Sequence, residues 1–160
     1  MVCLVPERRQ EITTEGGLDV AGQFDRVRDA CARLADCGSR VSLFIEASPA
    51  QIDASVRAGA PCIELHTGAY ANACEAGEDA LRQREFDRIK AGLKLGRSLG
   101  LQTNAGHGLA LDSTAPIAAL PEVSELHIGH ALIGHALFVG LTQAVRDFQG
   151  VIARAVTQPR

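Results

Sequence analysis

The sequence lacks the features that would place the protein in a membrane or outside the cell. No apolar run approaches the ~20 residues that a membrane-spanning helix needs, and no basic segment leads into an apolar one at the N-terminus, as in a secretory signal. The five cysteines form no C-x-x-C pair, and their odd number argues against a disulfide framework. These absences predict a protein of the reduced cytoplasm without a structural zinc site.

A stretch of one charge sign is also missing. Sixteen lysines and arginines are scattered among nineteen acidic residues, which gives a net charge of -3. Nucleic acids and anionic membranes are bound by clustered basic side chains, so neither is predicted as a partner. With 46% hydrophobic residues and no linker, repeat or low-complexity segment, residues 1–160 are predicted to form a single domain.

Five short apolar runs are typical of buried strands. They cover residues 2–5, 41–47, 62–66, 101–104 and 125–129. Apolar residues at helical spacing lie between most of them and predict a helix from residue 24 that ends at Gly38, others over 78–99 and about 113–120, and a last one from about 141. This alternation predicts parallel strands joined by crossover helices.

Three local details of the helices are also predicted. In "SPAQ", Ser48 and Gln51 form a capping box around Pro49 at the start of a helix that ends near Gly59. The arginines of the helix over 78–99, Arg88 among them, are predicted to form a solvated face. Pro116 is predicted to limit the start of the helix near residue 113.

Two architectures accommodate five β/α units in about 150 residues. One is a flavodoxin-like, doubly wound sheet. The other is part of a (β/α)₈ barrel, because five-eighths of ~250 residues is about 156. Periodicity leaves the choice open, but in both the carboxyl ends of the strands meet at one rim where ligands bind.

Gly-His pairs follow two of the predicted strands, in "NAGHGLAL" (104–111) and "HIGHALIGHA" (127–136). Glycines at strand ends and the start of a helix together make an anion site, for which Gly106, Gly108 and Gly129 are well placed. The segment "GHALIGHALFVG" is similar to the short extra helix that often completes a barrel's phosphate site.

The histidines of these segments have different predicted roles. His107, between two glycines, is the best general acid or base, the alternative being a hydrogen-bonded loop histidine. The backbone N–H of His130 suits a phosphate oxygen, the alternative being simple helix capping. His135 is predicted to be structural or exposed.

A carboxylate lies inside an otherwise apolar strand, "IELHTG", where Glu64 shares one side with Cys62 and His66. A lone buried carboxylate is costly, so Glu64 is expected either to face an active centre or to form a buried ion pair. In the long loop after the first strand, Thr13 is able to donate to a substrate oxygen, the alternative being that it only shapes the turn.

The strings "CLVPERRQEITTEGGLDVAGQ", "VSLFIEA", "IELHTGAYA", "LGLQTNAGHGL" and "ELHIGHALIGHALFVGL" closely resemble the C-terminal two-thirds of the pyridoxine 5′-phosphate synthase family. The resemblance covers essentially the whole chain in order. It implies an α/β TIM-type (β/α)₈ barrel, present here as about five β/α units without the first three strands, and homo-oligomers in the cytoplasm. It also implies a transferase of vitamin B6 biosynthesis that condenses 1-deoxy-D-xylulose 5-phosphate with 3-amino-2-oxopropyl phosphate, without metal or organic cofactor.

The resemblance also assigns roles to individual residues. His107 matches the family's proton donor, and Glu64 matches an acidic residue in the barrel centre. The other matching positions bind substrate or its phosphate: Thr13, Gly108, Gly129 and His130.

Two function hypotheses remain open from the sequence. The family's N-terminal third carries two of its general bases, so the chain is either the synthase or a non-catalytic, phosphate-binding fragment of it. A receiver or flavin-binding module is excluded, because a receiver needs acidic and lysine side chains at its strand ends, where this sequence has Pro6, Thr67 and Gly129.

Overall fold

The computed structural model describes residues 1–6 and 16–157, in which five strands alternate with helices. The strands are β1 (Val2–Leu4), β2 (Val41–Ile45), β3 (Cys62–His66), β4 (Gln102–Gly106) and β5 (Leu126–His127). The helices are α1 (Phe24–Asp36), α2 (Pro49–Arg57), α3 (Gly68–Ala76), α4 (Asp79–Ser98), α5 (Leu111–Ala118), α6 (His130–Val139) and α7 (Leu141–Thr157).

The strands form one parallel sheet in the order β1-β2-β3-β4-β5, curled into a half-barrel. A doubly wound sheet would reverse its strand order at a switch point. The sequential order therefore rules out the flavodoxin-like alternative and confirms the partial (β/α) barrel. Within the described residues, β1 and β5 form the two edges of this sheet.

The two faces of the sheet differ because side chains alternate along each strand. Ile63 and Leu65 belong to the hydrophobic core, which α4 covers. The helix approaches closely because Gly96 has no side chain: a Cβ there would lie 2.7 Å from Cγ2 of Thr103 on β4. Residues at alternate positions, such as Glu64, line a cavity on the other face instead.

The predicted helices are largely confirmed, with corrections at α2 and α3. The predicted capping box is wrong: Ser48 makes no capping hydrogen bond. The side chain of Gln51 is used elsewhere, since its Oε1 accepts the N–H groups of Val20 and Ala21, at 2.8 and 3.1 Å. Helix α3 was not predicted. Its alanine-rich sequence buries small residues such as Ala71 and Ala73 and shows no apolar stripe.

Two further corrections concern side chains within helices. Pro116 does not limit the start of α5 but lies inside it, since that helix begins at Leu111. Arg88 is not simply solvated: it is 29% exposed and bridges two carboxylates, Glu85 and Glu46. The sequence showed the helical position of Arg88 but not the acidic strand end that faces it.

The predicted extra helix α6 and the long helix α7 are the last elements that the structure describes, and they pack against each other. Helix α6 has no fully buried side chain, and its Leu137 and Phe138 are 82% and 90% exposed. Among the described helices, none is both long and apolar enough to cross a membrane.

Candidate functional site

A cavity of about 1270 Å³ lies at the carboxyl ends of the strands. Its wall contains side chains from each of the five strands or the turn that follows it, together with the first residues of α3 and α6. Among its lining residues are Cys3, Phe44, Glu46, Glu64, His66, His107, Gly108, His127, Gly129 and His130. The structure thus brings together most of the predicted site residues, while Thr13 lies outside the described part of the chain.

His107 follows β4 and has a backbone conformation that few residues other than glycine adopt. Its φ is 77°, in the left-handed region, and that of Gly108 is 80°. A non-glycine residue there is unfavourable unless its surroundings hold it in place. Thr67 does so: its hydroxyl Oγ1 lies 2.6 Å from the carbonyl oxygen of His107 and 2.7 Å from that of Gly106.

The ring of His107 lies among other rings in the cavity wall. Its centroid is 4.9 Å from that of His66 and 5.9 Å from that of Phe44. Burial lowers the pKa of His107 below its usual value of 6.5, and the neighbouring His66 and His130 lower it further against the opposing effect of Glu64. The neutral ring, which can accept a proton, is thus favoured at neutral pH. A bound anion would favour the protonated form, which is a donor.

Glu64 is both paired and in contact with the cavity. Its side chain is 10% exposed, and its Oε2 lies 2.6 Å from Nδ1 of His127 and 3.7 Å from Sγ of Cys3. The hydrogen bond to Glu64 raises the pKa of His127. Burial and the charge of Glu64 raise the pKa of Cys3 to about 12, so this thiol is a neutral donor rather than a nucleophile.

A second network lies beside the first and includes His66. Nδ1 of His66 is 2.7 Å from Oε1 of Glu46, whose Oε2 is 2.9 Å from Nη1 of Arg88. The hydrogen bond to His66 lowers the pKa of Glu46 to about 2, with the charges of His66 and Arg88 adding to the effect against burial. Glu46 is therefore a permanent negative charge at the cavity rim, and it orients the ring of His66 beside His107.

The predicted phosphate-binding positions line the same cavity. Gly108 follows His107, and Gly129 precedes His130, with which α6 begins. The first N–H groups of a helix have no partner within it and carry a partial positive charge, which suits an anion. His135 lies outside this wall and pairs with Asp147 of α7 at 2.7 Å, in line with its predicted structural role.

Several residues of the site were not predicted from the sequence: Cys3, Glu46, Thr67 and His127. A signal exists for only part of this set. Polar residues that alternate with apolar ones along a strand, as Glu125 and His127 do in "ELHI", indicate a face turned toward a site. Within the described ranges no group of three His, Cys, Asp or Glu side chains is arranged to hold a metal ion.

The fold and the site define a class of protein: a partial (β/α) barrel with a polar cavity at the carboxyl ends of its strands, where barrel enzymes carry out their chemistry. The family model described as pyridoxal phosphate biosynthesis protein PdxJ matches residues 1–154. The chain belongs to this family, the pyridoxine 5′-phosphate synthases of vitamin B6 biosynthesis. The narrower detail, that the chain equals the C-terminal two-thirds of such a protein, is not supported by this match.

Proposed function

We propose that the chain supplies the proton-transfer and phosphate-binding part of a pyridoxine 5′-phosphate synthase. The reaction condenses the amine of 3-amino-2-oxopropyl phosphate with a carbonyl of 1-deoxy-D-xylulose 5-phosphate. Such a condensation expels water, and a hydroxyl leaves readily only after it has received a proton. A general acid is therefore required, and acid–base catalysis of this kind contributes about 10²–10⁴-fold.

The observation that carries the proposal is the placement of His107. The hydroxyl of Thr67 holds its backbone at a φ of 77°, in the wall of a cavity that also contains Glu64. A costly conformation supported by a buried hydroxyl is expected where a side chain must be aimed. His107 is proposed as the proton donor and Glu64 as a carboxylate that stabilises positive charge developing during ring closure.

The phosphate group of one of the two phosphorylated substrates is proposed to lie against Gly108, Gly129 and His130. The N–H groups of Gly129 and His130 are available at the start of α6, and Gly108 lies in the turn after β4, directly after His107. A phosphate anion held there raises the pKa of His107, which burial and neighbouring histidines lower. Substrate binding thereby produces the protonated form that the reaction needs. Thr13 is proposed to donate a further hydrogen bond to the substrate.

A second candidate function rests on the open half-barrel. Five strands leave the edges of β1 and β5 without neighbours among the described residues. Three more β/α units would complete eight. On this hypothesis the chain alone is a phosphate-binding fragment, and turnover requires the completed barrel.

A complementation assay separates the two functions. The purified chain is incubated with both phosphorylated substrates, alone and with a second polypeptide that carries the first three β/α units of a full-length member of the family. We expect pyridoxine 5′-phosphate from the mixture and none from either polypeptide alone. Turnover by the chain alone would contradict the fragment hypothesis. Absence of product from a mixture that forms a stable complex would contradict the proposed activity.

The remaining proposals concern cellular location and assembly. We place the protein in the cytoplasm, where the five cysteines, which are all free, stay reduced. We also propose that copies of the chain associate, because Leu137 and Phe138 form an exposed apolar surface on α6.

A further inference from the structure

Glu64 and His127 meet across a strand that separates them. Glu64 lies on β3 and His127 on β5, with β4 between them. In the sheet register, Gly106 of β4 is the direct neighbour of His127. A Cβ on Gly106 would lie 2.3 Å from Oε1 of Glu64 and 3.0 Å from Cβ of His127. The glycine therefore provides the space in which the two side chains reach each other.

The contact occupies one oxygen of the carboxylate. Oε2 of Glu64 is 2.6 Å from Nδ1 of His127, and short separations are characteristic of charge-assisted hydrogen bonds. The thiol of Cys3 donates to the same oxygen at 3.7 Å. Among the described residues, Oε1 has no hydrogen-bond partner, and Glu64 lines the cavity. The pairing thus leaves one oxygen of Glu64 for a ligand.

The imidazole of His127 is itself held from the other side. Its Nε2 lies 3.4 Å from Oε2 of Glu125, an oxygen that also accepts a hydrogen bond from Nδ2 of Asn104 at 3.4 Å. A ring with a carboxylate at each nitrogen is favoured in its doubly protonated, cationic form. In agreement, the hydrogen bond to Glu64 and the charges of Glu64 and Glu125 raise the pKa of His127.

We propose that His127 is a positioning residue: by binding Oε2 of Glu64, it fixes the carboxylate beside Gly106 and holds Oε1 of Glu64 in place for the substrate in the cavity. The inference rests on the proposed function only in that Glu64 takes part in the reaction. The pairing itself is a property of the chain without substrate.

Two substitutions separate a positioning role from a merely structural one. His127→Ala removes the donor, whereas His127→Asn keeps an N–H at nearly the place of Nδ1 but cannot carry the charge. His135→Ala is the matched control, because it removes a histidine–carboxylate hydrogen bond from α6 and α7, outside the cavity wall. Thermal unfolding of each variant shows whether it is folded.

Crystal structures of the parent chain and the variants, soaked with inorganic phosphate, test the geometry. We expect the Glu64 carboxylate to move by more than ~0.5 Å in His127→Ala, the tolerance of catalytic groups, and to keep its place in His127→Asn and His135→Ala. An unmoved carboxylate in His127→Ala would overturn the proposal. A carboxylate displaced in both His127 variants would also overturn it, since the N–H would then not be what orients Glu64.

Steady-state kinetics test whether this positioning matters for turnover. They are measured on the chain mixed with the polypeptide that carries the first three β/α units. We expect kcat to fall roughly 10- to 100-fold in His127→Ala with little change in KM, and to recover in His127→Asn. An unchanged kcat in a variant whose Glu64 carboxylate has moved would show that the position of Glu64 set by His127 has no role in the reaction. If no preparation turns over, the proposed function fails while the crystal structures still decide the positioning of Glu64.

Discussion

The hydroxyl of Thr67 lies 2.6 Å from the carbonyl oxygen of His107, and this contact joins the end of β3 to the turn after β4. The same hydroxyl is 2.7 Å from the carbonyl oxygen of Gly106, which also accepts the backbone N–H of Thr67 at 2.9 Å. Thr67 is fully buried. The φ of 77° at His107 is thus held by a residue that is not among those lining the cavity.

Replacing Thr67 by valine tests this support. Thr67→Val keeps the shape but leaves the carbonyl of His107 without its donor, so the free energy of unfolding should fall by about 1–3 kcal/mol. Turnover should fall as well, because His107 is no longer held in place. Thr67→Ser, which retains the hydroxyl, is the control. Equal stability and turnover in the valine variant and the parent would contradict this role.

Phosphate binding should change the titration of His107. Burial and neighbouring histidines lower its pKa below 6.5, and a bound anion reverses part of this effect. NMR of uniformly ¹⁵N-labelled protein should show the pKa of His107 rising on addition of phosphate, with shifts at the amides of Gly108, Gly129 and His130. Chloride at equal ionic strength is the control. A pKa of His107 that phosphate leaves unchanged would place the anion elsewhere.

The pairing of His127 with Glu64 should make stability depend on pH. A histidine whose pKa is raised by folding stabilises the native state fully below its unfolded value of about 6.5, and this contribution is lost as pH rises through the folded pKa. The decrease in Tm caused by His127→Ala should therefore be larger at about pH 6 than at about pH 9. A decrease that grows with pH would show that the pKa shift has the opposite sign.

The exposed surface of α6 should promote association. Leu137 and Phe138 are 82% and 90% exposed. Light scattering should show that the chain self-associates and that a Leu137→Gln, Phe138→Gln double variant does so less. Leu99→Gln, at an exposed leucine after α4, is the control. A parent chain that is monomeric at high concentration would contradict the proposal.

Much of the sheet could be predicted from the sequence, because β1, β2 and β3 are short, mostly apolar runs bounded by turn residues. The segment over residues 62–66 was predicted with the same bounds as β3. The choice between two architectures needed strand order, which periodicity does not contain. Helix α3 was missed because its small residues give no amphipathic stripe.

The candidate site was predictable only where a local signal exists. His107 and Glu64 stand out as a histidine between glycines and a carboxylate inside an apolar strand. The partners of Glu64 and His66 do not stand out in the sequence. His127 contacts Glu64 across β4, and Glu46, directly after β2, contacts His66. Such contacts depend on the register of neighbouring strands and on the missing side chain at Gly106.

If His107 transfers protons in the synthesis of pyridoxine 5′-phosphate, as proposed, turnover depends on its ring. The measurement is the turnover of His107→Asn, mixed with the polypeptide that carries the first three β/α units. Asparagine has no titratable group, so kcat should fall by ~10²-fold or more while KM changes little. His135→Asn, outside the cavity wall, should retain the parent's turnover. A His107→Asn protein with the kcat of the parent would contradict the account, because the proton donor would then be another group.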